Sequence, residues 1–145
     1  MSAIASNFAH PVPQTRGISQ GFGGQHKGID FKSKIQGQEG DSVRAFFSGK
    51  VVRAEKSDSY GWVVYINHVI DGEHYQSRYA HLRQKPVVVV GQNVNTGSTV
   101  GHMGQTGHAT GVHLHFEIRK SNNGRPPNID NSSIPINPLN LLPHN

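Results

Sequence analysis

Five residues of two chemical types, spread over three short segments, carry most of the chemistry open to this chain. His26 and Asp30 stand four apart in HKGID, His81 sits in YAHL, and His113 and His115 stand two apart in GVHLHFEIR. Imidazole nitrogen and carboxylate oxygen are good zinc donors, and a hydrolytic zinc centre needs three protein ligands and one position open to water. Five candidates cover such a ligand set and leave histidine over for proton transfer, for which its unperturbed pKa near neutrality suits it. Taken singly, an HxH on a half-buried strand or an HxxxD beside a turn is a common surface pattern. Together in one chain of 145 residues, the three segments argue for a shared site.

The elements that must position these residues read as strands. GVHLHFEIR alternates with the period of a strand, so His113, His115, Glu117 and Arg119 should share one face and Leu114, Phe116 and Ile118 the other. Gly23, Gly24 and Gly28 argue against a helix around HKGID. An extended segment there points His26, Gly28 and Asp30 the same way, with Gly28 leaving room beneath an ion or substrate. Strands are expected over 43–54 and 61–70, with Asp71-Gly72 as the hairpin turn into 74–82. After the Val87–Val90 run and a Gly- and Asn-rich turn comes a short strand near 99–103, and the last clear strand covers 112–119. Residues 121–138 read as a loop, and Leu139, Leu141 and Leu142 as a short covering turn.

Composition agrees with that outline. Hydrophobic residues at 34% and aromatics at 8% are low for a helical bundle, whereas 17 Gly and 8 Pro imply many turns. The expected fold is mainly β: a single domain over 1–145, built on an antiparallel sheet with a metal-centred groove, long loops and little helix. Residues 1–12 form an N-terminal arm, and 121–145 a C-terminal loop and covering turn. With no Cys there is no disulfide framework and no thiolate metal site. The formal charge of +5 favours acidic partners, but the basic residues are scattered and not interleaved with aromatics, which argues against nucleic acid. No apolar run is long enough for a membrane span, and MSAIASNFAHPVPQ lacks the basic and apolar regions of a secretion leader.

In their order and with their neighbours, ISQGFGGQHKGIDF, WVVYINHVIDGEHYQSRYAHL and GQTGHATGVHLHFEIR, followed by INPLNLL, resemble the M23 family of zinc metallopeptidases. These are peptidoglycan endopeptidases of the lysostaphin and LytM type. The resemblance runs from about Gly17 to Leu142. It implies one Zn2+ held by His26, Asp30 and His115, with His81 and His113 as the catalytic pair. It also implies a monomer that cleaves stem-peptide or cross-bridge bonds of peptidoglycan at the bacterial wall, in the periplasm or outside the cell. Without a leader, such a chain would be delivered by phage, released through a holin, or represent a mature or excised form. Imidazole here takes the place of the glutamate base of HExxH enzymes, leaving Glu117 to orient a histidine by hydrogen bond.

Tyr79, Trp62 and His108 are the candidates for the substrate-cleft walls, and Tyr60 and His102 are further residues that could reach it. His68 is expected to be structural, His74 an exposed turn residue, and His10 and His144 to lie near mobile termini. Some family members fill the fourth zinc position with an upstream Asn; Asn7 is the candidate here, and water is expected instead. The alternative is a non-catalytic envelope-binding or hydrolase-activating domain of the same fold. Such relatives commonly lack the metal ligands, and all five key positions are present in this chain.

Overall fold

Gly- and Pro-rich turns cut the chain into ten short strands among residues 8–143, the part that the computed structural model describes. In chain order they are β1 (Ile18–Gln20), β2 (Ile29–Lys32), β3 (Ser42–Arg44), β4 (Gly49–Ser57), β5 (Gly61–Ile70), β6 (Glu73–Leu82), β7 (Asn93–Val94), β8 (Thr99–His102), β9 (His113–Lys120) and β10 (Ile134–Ile136). The only helical element among the described residues is one 3-10 turn, Pro138–Asn140, which packs against β9. No helix there is long and apolar enough to cross a membrane.

Eight strands form one antiparallel sheet in the order β1-β2-β9-β6-β5-β4-β7, with β10 extending the edge of β9 beyond β2, while β3 and β8 pair separately. The β5-β6 hairpin is the backbone of this sheet. Its turn residues Asp71 and Gly72 both have positive φ, 55° and 79°, the conformation that matches the twist of a two-residue hairpin. Leu114, Phe116 and Ile118 enter the main core with Val64, Ile66, Tyr79 and Leu82. The opposite face carries only a small apolar cluster of Val63, Tyr65 and Ala80. That face is free for polar chemistry.

Three expectations about the elements need correction. The stretch 43–54 is two strands: Ala45 and Phe46 turn into the core, with Phe46 N donating to Tyr79 Oη, and β3 and β4 then join different sheets. Residues 134–136, read as loop, pair with β9 and so satisfy an otherwise open edge. The brief strands β1 and β7, of three and two residues, fall below what a periodicity window detects, whereas β2 continues the extended segment expected at HKGID.

His68 is structural. It is buried, with Nδ1 2.9 Å from the Ser48 carbonyl and Nε2 2.7 Å from the Ser77 hydroxyl. Burial lowers its pKa to about 4, against a bond to Ser48 that acts the other way. The unfolded ring takes a proton near pH 6.5 and the folded ring only near 4. Its contribution to stability is therefore complete above about pH 6.5 and is lost as pH falls toward 4, by roughly 3 kcal/mol. Urea titrations of the ion-free chain at pH 7 and 4.5 should show that loss, and His68→Gln should shrink it. An undiminished acid loss in the variant would assign the effect to other groups.

Candidate metal centre

Different local devices bring the five residues to the polar face of the large sheet. Asp30 on β2 and His115 on β9 are direct cross-strand partners, so their side chains stand adjacent. Gly28 permits this approach: a Cβ there would lie 2.3 Å from the Phe116 carbonyl oxygen and 2.9 Å from Glu117 Cγ. The glycine thus makes room for the neighbouring strand, not for an ion or substrate as its position suggested. His26 sits in a turn closed by the Gly23–His26 bridge, where Gly23 and Gly24 adopt φ of 138° and 58°.

His81 reaches the site through a β-bulge. Trp62 pairs with Leu82 and Val64 with Tyr79, so Val63 of β5 faces both Ala80 and His81 of β6. The extra residue inverts the alternation: Tyr79 and Leu82 both face the core, and His81 turns to the polar face. The device holds His81 at φ 62°, a conformation rare outside glycine and frequent where function demands it.

The donor atoms converge. Asp30 Oδ1 lies 3.3 Å from His26 Nε2 and 2.8 Å from His115 Nδ1, and the three donors lie within 4.8 Å of one another. A tetrahedral zinc with bonds of about 2.0–2.2 Å sets its donors roughly 3.3 Å apart. The first contact already has that spacing, and the second is shorter, at the length of a hydrogen bond. Donor type and spacing both fit zinc.

Each ring is oriented from behind. Nδ1 of His26 donates to the Gly21 carbonyl at 2.8 Å, Nδ1 of His81 to Thr106 O at 2.7 Å, and Nδ1 of His113 to Gly111 O at 3.1 Å. All three therefore present Nε2 to the cleft. His115 is reversed: its Nε2 lies 2.7 Å from Glu117 Oε2, which leaves Nδ1 for the centre. Glu117 is itself held by Arg119 Nε at 2.7 Å and by the Tyr60 hydroxyl, whose ring stacks on His115. Thr106 is fixed in turn by its hydroxyl, which donates to Leu82 O and accepts from Trp62 N.

Burial disfavours the charged form of His115, Glu117, Tyr60 and His81, and partners overrule it only at the first two. For His115 desolvation is overruled by Asp30 and Glu117, and its pKa rises to about 9. Desolvation of Glu117 is likewise overruled, chiefly by His115, with Tyr60 and Arg119 helping, and its pKa falls to about 2. Burial and the Glu117 charge push the Tyr60 phenol up, which keeps it a donor. No carboxylate hydrogen-bonds His81 among the described residues; burial lowers its pKa, against the Thr106 bond and the Asp30 charge, which favours the neutral ring. In the ion-free chain His115 is a cation between two carboxylates, and a metal must displace its proton. Glu117→Gln should weaken zinc binding by about 10–100-fold while the chain stays folded, because the outer partner of a ligating imidazole sets its tautomer and basicity. Competition against a chelator measures this; unchanged affinity would deny Glu117 that role.

An open cavity of about 320 Å3 lies over the centre, bounded by all five residues with Gln20, Ser59, Tyr60, His108 and Thr110. His108 is thus at the cleft wall. Tyr79 is not: it is fully buried on the core face, bonded to Phe46 N and the Ser77 hydroxyl. Trp62 packs against the main core and leaves the wall to Tyr60. His10 packs on Phe31 and accepts from Val12 N instead of moving freely, while Asn7 and His144 lie outside the described residues. Gln20 and Thr110 carry no signal in the sequence beyond their nearness to HKGID and HLH.

Residues 24–129 match the model of peptidase family M23. The chain belongs to this family. It is 36% identical over 137 residues to the peptidoglycan DD-endopeptidase ShyA of Vibrio cholerae, covering 92% of this chain and 28% of that protein. Lysostaphin of Staphylococcus simulans is 39% identical over 95 residues, covering 66% of this chain and 18% of lysostaphin. This M23 chain therefore spans less than a third of either relative. Its fold matches a crystal structure described as a zinc containing peptidase from Vibrio cholerae, with TM-score 0.72 and 29% identity over 90% of this chain and 39% of that one.

Proposed function

We propose that this chain is a zinc-dependent endopeptidase that hydrolyses peptide bonds in the stem peptides or cross-bridges of bacterial peptidoglycan. One observation carries the reading: His26, Asp30 and His115 bring three donors within 4.8 Å of one another, and His81 and His113 line the same cavity with Nε2 atoms that have no hydrogen-bond partner among the described residues. His26 Nε2, Asp30 Oδ1 and His115 Nδ1 would hold the ion. Zinc bound there would polarise the scissile carbonyl and lower the pKa of the attacking water toward neutrality.

The protein's own groups do the rest. His81, kept neutral by burial and fixed by Thr106, and His113, fixed by Gly111, share the proton traffic at their Nε2 atoms. One imidazole takes up the water's proton; the other donates to the oxygen that gains charge or to the departing amine. Glu117, Tyr60 and Arg119 hold His115 in the ligating tautomer. Substrate and family point to action at the bacterial wall, and a basic chain of charge +5 suits anionic wall polymers.

Mass spectrometry of fragments released from purified sacculi by the zinc-loaded chain tests this. New amine and carboxylate ends within the peptide network are expected, with the glycan intact. Release by glycan cleavage alone, or no release from walls of any cross-link chemistry, would refute it.

A further inference from the structure

Tyr60 is a partition. On one side lies the metal cleft and on the other a second cavity of about 270 Å3, which shares Ser59 and Tyr60 with it. That volume lies just below the roughly 300–1,000 Å3 of sites for drug-sized ligands, so it suits one amino-acid side chain and not a sugar strand.

Its lining has two charged sides. Arg53 stands on one, giving Nε to Glu55 at 2.5 Å and one terminal nitrogen to Tyr65 Oη at 2.8 Å; its other terminal nitrogen has no hydrogen-bond partner among the described residues. Behind Tyr65 lies Arg78, whose guanidinium is 4.2 Å from the ring centroid, against 4.9 Å for that of Arg53. Arg78 is fully buried and bonds only neutral acceptors: Gln76 Oε1 at 2.7 Å, Asn131 Oδ1 at 2.8 Å and the Asp130 carbonyl. Among the described residues no carboxylate pairs with it. It therefore adds positive charge beneath the cavity and pins Asp130 and Asn131 as the wall. Asp130 lines the same cavity, with its Oδ1 taken by Ser132 N and Oγ and its Oδ2 free among the described residues. Ser57 and Ser59 lie on the same lining.

A cationic side, an anionic side and hydroxyls complement a group bearing a carboxylate and an ammonium together. We propose that this cavity is a subsite for the free zwitterionic end of a diamino-acid side chain, in the stem peptide beside the scissile bond. The assignment rests on the peptidoglycan reading above. Arg53 takes the carboxylate, Asp130 the ammonium, and Arg78 positions the wall without touching the ligand.

Three soluble probes test the site apart from catalysis: meso-diaminopimelic acid, pimelic acid with the carboxylates only, and cadaverine with the ammonium groups only. Titrated into the zinc-loaded chain and followed by amide NMR, diaminopimelate should shift residues 57–60 and 129–131 and bind about tenfold or more tightly than either single-charge probe, as expected for one lost charge-assisted hydrogen bond. Arg53→Gln should reduce diaminopimelate to the affinity of cadaverine, and Asp130→Asn, at an exposed position, to that of pimelate. On cross-linked stem peptides Arg53→Gln should raise KM about tenfold where the diamino acid carboxylate is free and leave it unchanged where that carboxylate is amidated. Equal affinity for the three probes, shifts confined to the metal cleft, or equal losses on both substrates would overturn the subsite. Selective binding by a chain that cleaves no wall would keep the subsite and sink the endopeptidase; cleavage without selectivity would do the reverse.

Discussion

His113→Ala should reduce wall hydrolysis by about 10²–10⁴-fold, the usual contribution of a positioned acid or base, while the chain keeps its zinc. The geometry separates His113 from the ligand group. Its Nε2 stands 3.8 Å from Asp30 Oδ2, beyond hydrogen-bond reach, whereas His26 and His115 crowd Asp30 Oδ1 at 3.3 and 2.8 Å. Alanine at this partly buried start of β9 removes no contact with the main apolar core and leaves Leu114 and Phe116 in place. Turnover and metal content must therefore part company. Full activity in the variant would exclude His113 from the chemistry. Loss of zinc along with activity would move it into the ligand set.

The sequence exposes part of this site because Asp30, His113 and His115 lie on regular strands. In HLHFEIRK the period of two divides Leu114, Phe116 and Ile118, which enter the core, from His115, Glu117 and Arg119, which do not. The Asp71-Gly72 turn announces the hairpin that carries His81. What stays hidden depends on irregularity. Simple alternation sets Tyr79 and His81 on one face, and only the bulge opposite Val63 sends one to the core and the other to the cleft. Nothing in YAHL marks an extra residue. Three rings owe their orientation to backbone carbonyls of Gly21, Thr106 and Gly111, and a carbonyl has the same chemistry whatever side chain it belongs to. The second cavity is equally invisible, since Asp130 and Asn131 come to it across more than 50 residues through the buried Arg78.

Asp30→Ala should abolish both zinc binding and hydrolysis, the largest effect expected of any single change here. Asp30 Oδ1 is the atom nearest to both imidazole donors, so its removal leaves two neutral ligands where three are needed and no negative charge to offset the ion. A tight-binding ion stabilises the native chain by mass action, by about 2.7 kcal/mol at a hundredfold excess over Kd. Zinc should therefore raise the melting temperature of the parent chain and leave that of the variant unmoved. A chelator should reproduce the variant's inactivity in the parent, and added zinc should restore only the parent. The melting shift matters because it is read without substrate: if the variant still gains stability from zinc, the ion binds elsewhere and His26 and His115 are not its ligands. If zinc stabilises the parent but supports no cleavage, the metal centre survives and the catalytic role of His81 and His113 fails.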